Sequence, residues 1–146
     1  MKIHVENRQR AVPVPLVWLR RFAEVAVEKC ARQSVDGRFA LAQLDEVEVA
    51  VVSDRVIARV HREFMGIAGA TDVITFAHGE IVMSAPTAQR YAREYGHSTA
   101  CELALYTIHG LLHLNGYEDA TARAAARMRR VQDRILRACL AHHSPP

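Results

Sequence analysis

Two histidines, His109 and His113, and two carboxylates that follow them, Glu118 and Asp119, have the types and spacing of a metal site. Four residues is close to one turn of an α-helix, so both imidazoles project from the same helix face. Gly116 suits a left-handed helix end, and the reversal that follows can bring Asp119 back toward the histidines. Two histidines and one carboxylate, with a fourth position left for water, form an accepted catalytic zinc site.

The same histidine pair also has a structural interpretation, in which one imidazole bonds the last helix carbonyls and the other packs in the core. The residue that follows His109 is Gly110. Zinc peptidases with the pattern His-Glu-x-x-His have their glutamate base at that position. The sequence therefore argues against a peptidase.

The elements that must position this site can be predicted from hydrophobic periodicity and helix-start residues. Alternating or β-branched runs predict strands at residues 2–7, 46–52, 71–76 and 79–84, the last two as a hairpin. Prolines, serines and apolar stripes predict helices after Pro15, after Ser53 (with Val56, Ile57, Val60 and Phe64 buried), from Pro86 to Tyr95, from Ser98 or Thr99 to Leu114, and over about 120–141.

This order predicts an α+β fold, in which one mixed sheet of about four strands packs against helices and the metal-site helix is central. The chain has 146 residues, of which 50% are hydrophobic and 24% charged. These values are typical of a globular protein, and we expect a single catalytic domain over 1–146. Three scattered cysteines indicate a reducing compartment, and no signal peptide or membrane span is evident, so we expect a cytoplasmic protein.

Basic residues are concentrated near the C-terminus. Residues 120–146 contain six arginines and one acid, and five of the arginines repeat at helical spacing: Arg123, Arg127, Arg130, Arg134 and Arg137. A shorter stripe contains Arg55, Arg59 and Arg62. Such stripes suit the phosphates of RNA, but arginine stems that cover apolar surface explain them equally well.

The segment from His109 to Asp119, His-Gly-Leu-Leu-His-Leu-Asn-Gly-Tyr-Glu-Asp, resembles the signature His-Gly-x-Leu-His-Leu-x-Gly-Tyr-Asp-His of the YbeY family of bacterial metal-dependent endoribonucleases. The strand at 71–76, Thr-Asp-Val-Ile-Thr-Phe, is similar to that family's Thr-Asp/Asn-Val-Leu-Ser-Phe. Residues 79–81 and 102–105 also match in order and rough spacing. The resemblance covers about residues 56–135.

The resemblance implies a single-strand-specific endoribonuclease that matures ribosomal RNA at the 16S 3′ end and works with the small ribosomal subunit. Neither DNA nor a membrane is an expected partner. It implies one divalent metal, zinc, held by His109, His113 and Asp119. Substrate contacts fall on Arg62, Thr71 and Asp72. The base is either hydroxide on the metal or a nearby carboxylate, Glu118, which we assign the catalytic role.

Three departures from the family pattern matter for this site. Asp119 stands where the family has its third histidine ligand, a change that shifts metal preference toward manganese or iron. Met65 occupies the position of an arginine thought to contact substrate, and Arg62 is the nearest substitute. Ala70 replaces a proline. These departures leave two alternatives: a metal-dependent hydrolase of another substrate, or a non-catalytic ribosome-associated RNA-binding module.

Glu102 lies seven residues before His109, two turns away on the same helix. It can support the metal site, or it can form a capping box with Thr99, in which its carboxylate bonds the first free amide of the helix. The Thr-x-x-Glu spacing favours the capping box.

Overall fold

The computed structural model describes all residues from 1 to 146 and contains four strands and five α-helices. The strands are β1 (Lys2–Asn7), β2 (Glu46–Val52), β3 (Val73–Phe76) and β4 (Glu80–Ser84). The helices are α1 (Leu16–Ala31), α2 (Asp54–Met65), α3 (Ala85–Tyr95), α4 (Thr99–Leu114) and α5 (Ala122–His142), and a 3₁₀ helix spans Leu41–Gln43. Every predicted element is present within a few residues of its expected bounds.

The strands form one mixed sheet in the order β1-β2-β4-β3. Strands β1, β2 and β4 run parallel, and Val49 at the centre of β2 pairs with Val5 of β1 and Ile81 of β4. The β3–β4 hairpin is antiparallel and puts β3 at one edge. Parallel neighbours need a crossover, which α1 supplies between β1 and β2. The α+β prediction is confirmed.

The two faces of the sheet differ in how they are covered. Val49 and Val51 face the main core, formed mostly with α1, α4 and α5, whereas Ala50 and Val52 face a small cluster with Ile57 of α2. This division follows from the alternation of side chains along a strand. Helix α4 is the most buried helix, with eleven of its residues buried, and lies at the centre of the main core as predicted.

Phe64 was expected on the buried side of α2, and that expectation is wrong. Its side chain is 66% exposed, and its ring packs edge to face with the Phe76 ring, with the centroids 5.3 Å apart. The reason is that α2 packs on the small cluster, so Ile57 is its one fully buried side chain. None of the helices combines the length and apolar character that crossing a bilayer requires.

Candidate metal centre

The end of α4 folds back on itself and positions the predicted ligands. Gly116 has φ +103°, a conformation that favours glycine, and its N–H donates to the His113 carbonyl at 3.0 Å. The N–H of Tyr117 donates to the carbonyl of Leu112, also at 3.0 Å. Tyr117 is buried, which anchors the reversed chain and leaves Asp119 facing the histidines.

Three potential ligand atoms meet at this point. His109 Nε2 lies 3.1 Å from His113 Nε2, and Asp119 Oδ2 lies 3.7 Å from the first and 3.5 Å from the second. Tetrahedral zinc, with bonds of about 2.0–2.1 Å, requires its ligand atoms to be about 3.3 Å apart. The donor set and its spacing therefore fit one divalent ion.

The opposite ring nitrogens determine which atoms are free to bind a metal. His113 Nδ1 lies 3.0 Å from the Tyr117 carbonyl, which only accepts, so Nδ1 carries the proton. His109 Nδ1 is 2.7 Å from Oε1 of Gln132, and the same assignment follows. Both Nε2 lone pairs then face each other at 3.1 Å and repel unless a cation lies between them.

The protonation state of His109 suits metal binding. Burial lowers its pKa below the ordinary value of 6.5, and the neighbouring His113 acts in the same direction. The hydrogen bond to Gln132 and the carboxylates of Asp119 and Asp72 oppose this shift without reversing it. His109 is therefore a neutral imidazole at pH 7, and the neutral form is the one that binds metal.

A second group with metal-binding side chains occurs on the sheet surface and differs from this site. His4, Glu46 and Glu48 lie close together, with His4 Nε2 at 3.5 Å from Glu46 Oε2. His4 has no hydrogen bond that orients its ring, and its side chain is 50% exposed. Without an oriented imidazole this group is an ordinary surface ion pair, and the site on α4 is the better candidate.

A cavity of about 610 Å³ opens beside the three ligand atoms, and Met65 and Asp72 also line it. Asp72 accepts hydrogen bonds at Oδ1 from its neighbours, the Val73 N–H at 2.7 Å and the Thr71 hydroxyl at 3.4 Å. Asp72 is thus near the metal centre as its predicted substrate role requires, and Thr71 contacts Asp72 without lining the cavity.

Glu118 is exposed, lies beside Asp119 in the chain, and is outside the group of three potential ligands.

The structure does not bring Arg62 to the metal centre. Met65, one turn later on α2, lines the metal cavity, whereas Arg62 lines a separate groove of about 370 Å³ with Arg55 and Arg59. The helix ends at Gly66 in a left-handed conformation, and only its final residue reaches the cavity. Arg62 therefore does not occupy the place of the arginine that Met65 replaces.

The arginine stripe on α5 is partly used inside the protein. Arg134 donates to Oε1 of Gln33 at 2.7 Å, and Arg127 lies over the Tyr117 ring, 5.3 Å from its centroid. Arg127 also lies 4.0 Å from a carboxylate oxygen of Asp36. These two arginines hold α5 against the loop after α1 and against the turn that positions Asp119.

The capping-box prediction for Glu102 is wrong. Ser98 is the N-cap of α4, because its hydroxyl accepts from the Cys101 N–H at 3.1 Å. Glu102 is 3% exposed, and one of its oxygens lies 2.5 Å from Nε2 of His97. Because the Ser98 hydroxyl caps the helix, Glu102 is not needed as a cap, and its carboxylate lies against His97.

Sequence reasoning missed Gln132 and the Tyr117 carbonyl, which fix the two imidazoles. No spacing rule relates Gln132 to His109, since they lie 23 residues apart on different helices. The carbonyl of Tyr117 is a backbone group, so residue type gives no signal for it. The Gly116 turn was the one local feature that indicated a reversal at this point.

The chain is similar to known proteins over most of its length. The family model described as "Endoribonuclease YbeY" matches residues 4–139. A protein of Moorella thermoacetica named Endoribonuclease YbeY is 35% identical over 93% of this chain and 96% of its own length. One of Geobacter sulfurreducens with the same name is 32% identical, and the match covers 96% of both chains.

A solved structure supports the fold independently. The solution structure of the Thermotoga maritima protein TM1509 superimposes with a TM-score of 0.66 at 23% identity, over 96% of this chain and 90% of the other. At this identity the likeness concerns the fold alone. The family model and the full-length relatives show the family as well as the fold, because their matches include the sheet, α4 and the turn after it. The chain belongs to the YbeY endoribonuclease family and is a hydrolase that acts on RNA.

Proposed function

We propose that the protein is a zinc-dependent, single-strand-specific endoribonuclease that matures the 3′ end of 16S ribosomal RNA in the cytoplasm, on or near the small ribosomal subunit. One observation carries the metal dependence. Two imidazole lone pairs and a carboxylate converge within 3.7 Å beside an open cavity. The ribosomal substrate is the one expected from the family to which the chain belongs.

In this proposal, His109, His113 and Asp119 hold the ion. A bound zinc ion lowers the pKa of its water and stabilises negative charge on a phosphoryl oxygen. Gln132 and the Tyr117 carbonyl keep both Nδ1 protons in place, so each imidazole presents its Nε2 lone pair. The exposed position of Asp119 leaves one side of the site open to an RNA strand, since half of its side-chain surface is accessible.

Glu118 has the role of proton acceptor in this proposal. It is exposed and directly precedes Asp119, whose carboxylate faces both imidazoles. Glu118→Gln keeps the shape and removes the basic oxygen. We expect RNA cleavage to fall at least tenfold while the metal content stays unchanged. Unchanged cleavage in this variant would remove Glu118 from the mechanism.

RNA backbone contact is assigned to the arginine groove on α2. Arg55, Arg59 and Arg62 line it together, and no acidic side chain contributes to the lining. Each phosphate contact adds about one unit to the slope of log affinity against log salt concentration. Arg62→Ala should therefore weaken binding of single-stranded RNA and reduce that slope by about one. An unchanged slope would place the RNA path elsewhere.

The test of the activity uses the zinc-loaded protein with one RNA sequence in two forms, single-stranded and annealed to its complement. We expect cleavage of the single strand only. A chelator should stop this cleavage and zinc should restore it, and His113→Ala should show only background cleavage.

The ribosomal role is tested in a bacterium that lacks its own YbeY. Wild-type protein should restore mature 16S 3′ ends, and His113→Ala should not. Cleavage of both forms, or normal 3′ ends with His113→Ala, would contradict the proposal.

A further inference from the structure

A second cavity adjoins the metal centre and has no role in the proposed cleavage mechanism. It has a volume of about 340 Å³, lies between α3 and α4, and its lining includes Tyr91, Tyr95, Glu102 and Tyr106. Asp72, Val73 and His109 line both this cavity and the metal cavity. A ligand held at the metal can therefore extend into the second cavity past His109.

The outer wall of this cavity is aromatic and exposed. Tyr91 and Tyr95, one turn apart on α3, stack with their ring centroids 6.0 Å apart and their planes 23° apart. Tyr95 is 65% exposed and Tyr91 39% exposed, and His97 lies beside the Tyr95 ring with the centroids 6.4 Å apart. Exposed aromatic rings beside a polar groove are the platforms on which proteins stack the bases of single-stranded RNA.

The inner wall contains polar groups whose hydrogen-bonding capacity is not used within the protein. Tyr106 is 3% exposed, and its buried hydroxyl lies beside the Glu102 carboxylate without forming a hydrogen bond of good geometry to any protein group. A buried unpaired hydroxyl is uncommon and costs stability, so its presence indicates a site completed by a ligand. Asp72 accepts from protein groups only at Oδ1, which leaves Oδ2 free.

We propose that this cavity binds the base of a nucleotide next to the scissile phosphate, and that it prefers bases with an amino group. The base stacks on Tyr91 and Tyr95, and its exocyclic amino group donates to the carboxylates of Asp72 or Glu102. Cytosine, adenine and guanine have such an amino group, and uracil has none. Uracil has the carbonyl oxygen O4 at the position where cytosine has its amino group, and the carboxylates repel that oxygen. The inference rests on the proposed function, since it assigns specificity to the same site.

Mononucleotides test this inference without any RNA cleavage. Zinc-loaded, isotope-labelled protein is titrated with cytidine 5′-monophosphate and with uridine 5′-monophosphate, and amide shifts are followed by NMR. The two probes have the same phosphate, so any difference between them comes from the base. We expect the cytidine nucleotide to shift the amides of Tyr91 and Tyr95 and to bind at least fivefold more tightly than the uridine nucleotide.

Tyr95→Ala removes the exposed ring without disturbing the core and should weaken cytidine nucleotide binding about tenfold. Tyr95→Phe keeps the stacking surface and should bind as the wild type does. Phe39→Ala is the matched control, because Phe39 is similarly exposed (44%) but does not line either cavity. Equal affinity of wild type and Tyr95→Ala, or equal affinity for the two nucleotides, would overturn the inference.

The same variants separate this inference from the proposed activity. Cytidine nucleotide binding that depends on Tyr95, in a protein that cleaves no RNA, would support the base site and contradict the nuclease. RNA cleavage with the same kcat/KM in wild type and Tyr95→Ala would support the nuclease and contradict the base site. Failure of both measurements would contradict both.

Discussion

Gly110 packs against Ile81 so closely that a Cβ atom at residue 110 would lie 2.8 Å from Ile81 Cδ1 and 2.9 Å from its Cγ2. This contact joins α4 directly to β4, beside the first metal-ligand candidate. The missing side chain at Gly110 allows α4 to approach the sheet closely. The distance between α4 and the sheet in turn determines where His109 lies relative to Asp72 and Val73, which line the same two cavities.

Gly110→Ala should destabilise the protein although alanine favours helices. Three atoms of Ile81 would lie within about 3 Å of the new methyl group, so the whole side chain has to move. We expect a loss of about 1–3 kcal/mol in the free energy of unfolding, measured by urea denaturation. In a double-mutant cycle, Ile81→Ala makes room for the methyl group. The double variant should therefore lose less unfolding free energy than the two single variants lose together. Losses that add exactly would mean that the Ile81 side chain does not clash with the new methyl group.

Gln132 should affect metal affinity without being a ligand. Its Oε1 accepts from Nδ1 of His109 at 2.7 Å and fixes the ring with Nε2 toward Asp119. Removal of such a partner typically weakens metal binding by 10–100-fold. We expect Gln132→Ala to raise the zinc Kd by about tenfold or more, measured by competition with a chromogenic chelator. Gln132→Glu should retain the affinity, and Asp133→Ala, at the next position of α5, is the control that should have no effect.

Asp54 joins the starts of α2 and α3 and should make stability depend on pH. Its carboxylate accepts from Ser84 and Thr87 hydroxyls at 2.6 and 2.7 Å and from Arg90 at 2.8 Å. Burial alone would raise the pKa of Asp54, but these bonds outweigh burial and lower it below 3.8. The stabilisation is therefore complete at neutral pH and is lost as the pH falls through the lowered folded-state pKa.

Asp54→Asn should cost about 1 kcal/mol of unfolding free energy at pH 7, a value reduced for partial exposure. The difference from wild type should be smaller at about pH 3 than at pH 7, because the stabilisation begins to fall near the unfolded-state pKa of about 3.9 and is lost through the lowered folded-state pKa. Urea denaturation at both pH values measures this. Asp45→Asn, at an exposed position, should change stability by less than about 0.5 kcal/mol at either pH. A difference for Asp54→Asn that grows in acid would contradict the assignment.

The sequence allowed the secondary structure and the three-residue site to be predicted because both depend on local rules. The spacing of His109 and His113 follows from helix geometry, and the Gly116 turn brings Asp119 to them within six residues. The hairpin and the serine caps are equally local. Whether the three residues bind metal stays a prediction.

Features that depend on tertiary contacts could not be predicted in this way. Ser98 and Thr99 both suited the start of α4, and only packing determines that Glu102 turns toward His97. Buried Asn115 bonds the Cys30 and Gln33 carbonyls and the Leu41 N–H, which joins α4 to a part of the chain more than 70 residues away. No periodicity indicates such a connection.

The central claim is that His109, His113 and Asp119 hold one metal ion, and metal content tests it most directly. Untagged wild-type protein, His113→Ala and Asp119→Ala are purified in parallel, incubated with zinc, desalted and analysed by inductively coupled plasma mass spectrometry. We predict about one zinc per chain in the wild type and loss of the ion in both variants. No zinc in the wild type, or full zinc content in Asp119→Ala, would contradict the claim.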